Sequence, residues 1–311
     1  MGKIAFVFPG QGAQYVGMGK SIADQYKSAD EIFNQASEAL GFDVKKMVFE
    51  SDDDTLKITE NTQPAILTTS IACLQPLLEK GIKPDVAAGL SLGEYSAHVA
   101  AATLSFSDAA ALVRKRGKYM QEAVPVGVGT MAAVLGLSNE DVIECCKAAS
   151  SEGVVEPANF NCPGQVVVAG AVNAVEKVVE LCKEKGAKRS MVLPVSAPFH
   201  CSMLKPAGDK LAEELEKINL GEMNIPVVTN VTAEYISDKS KVKDLLIRQV
   251  SNSVRWEDCV KAMLEDGVDT FVEIGPGKVL GGFIKKISKD AKVLNVEDID
   301  SLNKTLEELG V

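Results

Sequence analysis

Gly89-Leu90-Ser91-Leu92-Gly93 has the Gly-x-Ser-x-Gly form of a nucleophile elbow, in which a tight strand-to-helix turn pushes a serine hydroxyl out of the fold toward a substrate. The flanking glycines are expected to be steric necessities, because a side chain at either place would strike the neighbouring strand or helix. Five residues of this kind recur by chance, so context decides. Val86-Ala87-Ala88 reads as a short buried strand, and Glu94 to Ala102 is Ala-rich and helix-favouring. A serine hydroxyl becomes a useful nucleophile only when a base takes its proton, and the chain holds just two histidines. His98 follows Ser91 by seven residues, about two helical turns and ~10 Å along the axis. That exceeds the ~3 Å reach of a general base. Set among alanines and valine, His98 reads as a packed, hydrogen-bonded core residue. His200 follows Pro194-Val195-Ser196-Ala197-Pro198-Phe199, whose prolines suppress helix and fix an extended approach. A rigid loop of this kind makes His200 the candidate base. No acid stands out as a third member, which leaves a backbone carbonyl or an amide side chain to hold the imidazole tautomer.

Two further features bear on chemistry. Phe8-Pro9-Gly10-Gln11-Gly12-Ala13-Gln14 follows the first apolar run, but Tyr15 stands where a dinucleotide fingerprint needs Gly or Ala, and Gln14 stands where a phosphate-binding loop ending in Gly19-Lys20-Ser21 needs its first glycine. What remains is a glycine-rich turn, either merely structural or a source of a Gln11 backbone amide that would face an oxyanion together with the Leu92 amide. On a helical wheel over Ser107–Ala123, Ala109, Leu112, Val113, Tyr119, Met120 and Ala123 share one face. Arg116 falls in the middle of it, where an unpaired guanidinium is costly and calls for an anionic partner. That partner is either an internal Asp or Glu, or the carboxylate of a substrate held by a bidentate clamp.

The elements that must position these groups alternate along the chain. Strands are predicted at Lys3–Phe8, Asp85–Gly89, Pro226–Asn230 and Thr270–Ile274. Helices are predicted at Pro64–Lys80, Leu92–Ala102, Ser107–Ala123, Pro206–Asn219, Lys241–Val250, Trp256–Asp266 and Val279–Ser288. This is the pattern of an α/β fold with a mainly parallel sheet. Residues 129–195 differ: Met131–Leu137, a helix from Ser138, strands at Val154–Asn161 and Gln165–Gly170, a helix at Ala174–Lys185 and a strand at Arg189–Val195 run in the β-α-β-β-α-β order of a ferredoxin-like unit. A small domain at 129–195 is therefore expected within a catalytic core of residues 1–128 and 196–311.

Composition narrows the class. At 311 residues and 46% apolar, with mean hydropathy near zero, the chain has material for a substantial core. No apolar run approaches the ~20 residues of a membrane span, and the apolar start is cut short by Pro9-Gly10 without a cleavage signature. Seven scattered cysteines without Cys-x-x-Cys point to a reducing cytoplasm rather than to disulfides or zinc. A net charge of −10 disfavours nucleic acid and anionic membranes as partners.

Together the motifs resemble the malonyl-CoA:acyl-carrier-protein transacylases of fatty-acid synthesis. The resemblance runs through Phe8–Gln14, Gly89–Tyr95, Arg116-Gly117-Lys118-Tyr119-Met120, Asn159-Phe160-Asn161, Pro198-Phe199-His200, Thr229-Asn230-Val231-Thr232, Gln249-Val250 and Glu273–Gly277, in the family's order. It implies an α/β-hydrolase-like core with a ferredoxin-like insertion. It also implies transfer of malonyl from malonyl-CoA to the phosphopantetheine thiol of acyl carrier protein through a serine ester. Ser91 would be the nucleophile and His200 the base, oriented by a backbone carbonyl, that of Gln249. The amides of Gln11 and Leu92 would form the oxyanion hole, and Arg116 would clamp the malonyl carboxylate. Gln249 and Asn161 are further implied substrate-binding positions. No metal or permanently bound cofactor is implied, since the coenzyme A thioester is itself a substrate. Leu90 departs from the histidine often found before the nucleophile, and altered packing there is expected rather than lost activity. A serine thioesterase or esterase, the loading acyltransferase of a polyketide pathway, and a scaffold without chemistry are the other readings. An acidic carrier would need a local cationic patch, either Lys185, Lys188 and Arg189 or Lys285, Lys286 and Lys289.

Overall fold

A computed structural model describes residues 2–195 and 197–311. The expected domain boundary at Ser196 lies outside the described residues. Ten strands are described: β1 (Lys3–Phe8), β2 (Val86–Gly89), β3 (Gly129–Leu135), β4 (Val155–Cys162), β5 (Gln165–Ala171), β6 (Arg189–Val192), β7 (Val227–Val228), β8 (Tyr235–Ile236), β9 (Val268–Ile274) and β10 (Lys292–Val296). Six form one sheet in the order β10-β9-β1-β2-β7-β8, parallel throughout except for the β7–β8 pair. The other four form an antiparallel sheet in the order β4-β5-β3-β6.

The sequence of β1 explains its central place. Ala5 to Phe8 is an unbroken apolar run, as a parallel strand covered on both faces requires. Phe6 and Phe8 enter one apolar cluster while Ala5 and Val7 enter another on the opposite face. In the antiparallel sheet the alternation sorts differently. Ala132, Val134, Val166 and Val168 pack under the helices Asn139–Ala149 and Val172–Glu184. Met131, Asn159, Asn161 and Val167 instead wall a cleft against the larger body. β4 is stitched to that body: Phe160 N donates to Val254 O at 2.9 Å, Val254 N to Ala158 O at 2.8 Å, and Ser253 Oγ to Pro157 O at 2.6 Å.

The expected elements recur with shifted ends, and several were not foreseen. Pro226–Asn230 shortens to the two residues of β7, and β8 and β10 are additional. The helix expected from Pro64 begins at Thr59 and carries Pro64 and Pro76 inside it. Helices Lys20–Gln25, Lys27–Leu40, Val44–Glu50 and Asp53–Lys57 fill a region left without elements, and Ile299–Leu309 closes the chain. The spacing of Ala29, Ile32, Phe33 and Ala36 is an amphipathic signal that was legible.

Candidate active site

Ser91 sits between β2 and the helix Gly93–Ala100 with φ at 53°, in the left-handed region that non-glycine residues avoid. The turn is sterically closed. A Cβ on Gly89 would enter the Gly93 carbonyl, and one on Gly93 would enter the carbonyl of Phe8 on the neighbouring strand. Asn230 braces it from the end of β7: its Oδ1 accepts from Ser91 N at 2.6 Å while its Nδ2 donates to Gly89 O at 2.7 Å.

His200 lies on its loop with φ at 61° and is 4% exposed. Its Nδ1 is 2.9 Å from the carbonyl of Gln249, and its Nε2 is 2.7 Å from Ser91 Oγ. A carbonyl only accepts, so the proton resides on Nδ1 and the Nε2 lone pair faces the serine hydroxyl. Burial, reinforced by the nearby Arg116 charge, pushes the imidazole down to about 3 and keeps it neutral. His98 is also fully buried, and burial pushes it to about 3, but neither of its ring nitrogens has a hydrogen-bond partner among the described residues. It is packed, as expected, without the expected hydrogen bonds.

Arg116 is 1% exposed on the helix Phe106–Glu122. Its guanidinium donates to Gln63 Oε1 at 2.8 Å, to Gln249 Oε1 at 2.9 Å and to Ser91 Oγ at 3.0 Å. It also stands over the Tyr95 ring, 5.2 Å from its centroid. These partners are neutral, and among the described residues no carboxylate ion-pairs with it. An internal salt bridge is therefore not what holds this arginine. Two amide oxygens orient the guanidinium, and no anion contacts it among the described residues.

The other expected positions divide into cleft wall and support. The cleft has a volume of about 870 Å³ and is lined by Gln11, Leu90, Ser91, Leu92, Arg116, Asn161 and His200. Gly10 packs so closely on Leu90 O that a Cβ would overlap it, which brings the Gln11 turn to the elbow. Among the described residues neither the Gln11 nor the Leu92 amide donates to an internal acceptor, whereas the Gln11 side chain reaches Thr59 Oγ1 at 3.3 Å. Gln249 is fully buried behind Arg116, outside the cleft wall. Its Nε2 donates to Ser91 O at 3.0 Å and to Glu94 Oε2 at 2.8 Å.

Gln63, Glu94 and the function of Asn230 escaped sequence reasoning. Gln63 is the fifth residue of the Thr59–Glu79 helix, just ahead of the Pro64 at which the sequence predicts the helix to begin. A charged Glu94 in an Ala-rich helix beside the elbow was the available signal for a buried polar cluster. Among the described residues no group of His, Cys, Asp and Glu is placed to hold a metal ion, and no helix is long and apolar enough to cross a membrane. All seven cysteines are free and buried.

The acyl transferase domain matches residues 5–304. A malonyl CoA-acyl carrier protein transacylase of Bacillus subtilis is 46% identical over 310 residues, covering 99% of this chain and 98% of that protein. The crystal structure of a malonyl CoA-acyl carrier protein transacylase from Clostridium perfringens superposes with a TM-score of 0.96 at 50% identity, covering 99% of this chain and 97% of that one. A malonyl-transacylase solved in complex with a type II PKS acyl-carrier protein gives 0.96 at 44% identity, covering 98% and 99%. Matched over nearly its whole length, the chain belongs to the acyl transferase domain family.

Proposed function

We propose that Ser91 is the nucleophile and His200 the general base of a malonyl relay between two thiols. The chain is an acyltransferase that takes malonyl from malonyl-CoA and delivers it to acyl carrier protein. As Ser91 Oγ attacks the thioester carbonyl, His200 Nε2 takes the hydroxyl proton. The carbonyl oxygen becomes an oxyanion, for which the free amides of Gln11 and Leu92 are the donors. Collapse breaks the carbon–sulfur bond, the imidazolium returns its proton to the departing coenzyme A sulfur, and malonyl remains as a Ser91 ester. The carrier's pantetheine thiol then repeats these steps in reverse. Gln249 acts through its carbonyl, which fixes the His200 tautomer, and through its side chain, which orients Arg116. Asn161 offers an amide to the acyl or pantetheine portion from the facing sheet.

The observation that carries malonyl specificity is the Arg116 guanidinium, which donates to Ser91 Oγ at 3.0 Å and to two neutral amide oxygens with no carboxylate in contact. A buried charge so arranged suits a carboxylate on the acyl group. The chemistry needs no resident cofactor. Incubation with malonyl-CoA is expected to add one malonyl group to the intact mass at Ser91. No adduct, or an adduct that persists in Ser91→Ala, overturns the assignment.

The antiparallel unit supports the ferredoxin-like description, because β4-β5-β3-β6 places its second, third, first and fourth strands side by side. The elbow after a parallel strand supports the hydrolase-like description of the rest, with the core at 1–128 and 196–311 and the small domain at 129–195. A cytoplasmic location fits the seven free thiols.

For the carrier we propose one cationic surface rather than two. Lys286 Nζ lies 3.3 Å from Gln165 Oε1, Gln165 pairs with Leu135, and Leu135 pairs in turn with Arg189. Lys188 packs its stem over Gly136 at the same end of the sheet. Lys185, by contrast, is engaged with Asp141 and Glu144. Reversing Lys286 and Arg189 to Glu is expected to raise KM for the carrier several-fold, most at low salt. An unchanged KM rejects the surface.

A further inference from the structure

Arg116 and Glu94 are a fully buried cation and a fully buried acid that do not touch. One amide separates them. Arg116 Nη2 donates to Gln249 Oε1 at 2.9 Å, and Gln249 Nε2 donates to Glu94 Oε2 at 2.8 Å. Both contacts polarise the amide in the same sense, so the two charges stabilise each other through it. Glu94 Oε2 also accepts from Asn230 N at 2.9 Å, whereas Glu94 Oε1 is buried with no partner among the described residues.

This spacing has a functional logic. A carboxylate placed directly on Arg116 would occupy the place that the substrate's own carboxylate must take. With no balancing charge at all, the buried guanidinium would be costly. We propose that Glu94 is the distal counter-charge of Arg116, set one amide away so that the guanidinium stays open to the substrate carboxylate, and that Glu94 takes up a proton from solvent when that carboxylate binds.

The charge count gives the direction. Before binding, the centre holds one cation and one anion. A malonyl group adds a second anion in a region with little water, and the weaker of the two carboxylates for Arg116 is the one held at a distance. The orphaned Oε1 is free to carry the proton, because no donor opposes it. Burial already pushes Glu94 up to about 7, against the opposing pull of its hydrogen bonds to Asn230 and Gln249 and of Arg116. The ionisable groups whose charge reaches Glu94 are Arg116 from the helix Phe106–Glu122, Tyr95 on its own helix and Cys259 from the helix Trp256–Glu265. Ala5 to Phe8 and Val86 to Gly89, also packed against that helix, carry none, and the Thr59–Glu79 helix presents neutral Gln63.

The inference rests on Arg116 receiving the malonyl carboxylate, and the test separates the two. Ser91→Ala protein, which cannot turn over, is titrated calorimetrically at pH 8 with malonyl-CoA and with acetyl-CoA, in two buffers of different ionisation enthalpy. Acetyl-CoA subtracts any protons taken up by the coenzyme portion. Malonyl-CoA is expected to take up about one proton more than acetyl-CoA, and its Kd to weaken about tenfold per pH unit above 7. In Ser91→Ala, Glu94→Gln protein the extra uptake disappears while malonyl-CoA still binds more tightly than acetyl-CoA. Proton-neutral malonyl binding overturns the proposal, and so does uptake that persists in Glu94→Gln, which assigns the proton to His200. Equal affinity for the two ligands overturns instead the clamp reading of Arg116. Should Glu94→Gln fail to fold, Ser91→Ala, His200→Ala protein takes its place: extra uptake that persists there leaves the proton on Glu94, and uptake that vanishes assigns it to His200 and overturns the proposal.

Discussion

Arg116→Ala is expected to lower kcat/KM for malonyl transfer about 10²–10³-fold while costing acetyl transfer less than about tenfold. Truncating one member of a buried hydrogen-bonded charge pair costs about 2–5 kcal/mol, and ~1.4 kcal/mol is a factor of ten. The acetyl group has no free carboxylate, so it loses only the donor that Arg116 offers to Ser91 Oγ. Arg116→Lys is expected to fall between the two, since a point-like ammonium cannot span Gln63 and Gln249 together. Parallel initial-rate measurements with both thioesters check this. Equal losses for malonyl and acetyl would reduce Arg116 to a support for the nucleophile. Stability must be followed alongside, because the substitution strands two buried amide oxygens at about 1–3 kcal/mol each and removes a desolvated charge of opposite effect.

His200→Ala is expected to lower kcat by about 10²–10⁴-fold with little change in KM for malonyl-CoA, the contribution typical of a positioned general base. Its pH behaviour follows from burial. Because the folded imidazole titrates near 3 rather than 6.5, activity should not decline at the usual histidine pH, and its acid limb should lie well below 6. The effect on stability has a definite sign. His98 and His200 are depressed, so the unfolded chain binds more protons between 6.5 and about 3, and stability falls as pH falls through that window. Glu94 and Glu273 are raised by burial from 4.5 to about 7, so they act oppositely, losing stability as pH rises between those values. Two groups oppose two between about 4.5 and 6.5. A Tm plateau is therefore expected over that range, followed by a steep drop below it. A monotonic decline from pH 6.5 would show that the carboxyls are not raised.

Much of the architecture was legible because its signals are local. The apolar run of β1, the Ala-rich helix after the elbow and the two glycines flanking Leu90-Ser91-Leu92 each follow from sterics or burial within a few residues. The β-α-β-β-α-β order of residues 129–195 was legible for the same reason. The Thr59–Gln63 start of the Thr59–Glu79 helix was not, because an interior proline loses a backbone bond and crowds the preceding turn, so Pro64 reads as a helix start. That stretch carries Gln63. Asn230 and Glu94 were hidden differently: asparagine at a strand end and glutamate in a helix are ordinary residues until something distant faces them.

By itself, then, the sequence determined which groups could react: a serine on a turn only glycine neighbours permit, a histidine on a proline-stiffened loop, and an arginine where the helix turns its apolar face. The tertiary structure alone decided what each of them meets. Ser91 and His200 are 109 residues apart, and Gln249 lies a further 49 along the chain. They converge only through contacts between distant segments, Ser91 Oγ to His200 Nε2 at 2.7 Å and His200 Nδ1 to the Gln249 carbonyl at 2.9 Å, which no local pattern specifies. The arginine's partner was open between a carboxylate and a substrate because both satisfy the same charge. Burial beside two amide oxygens, with Glu94 one amide further away, settled that the protein supplies no direct anion.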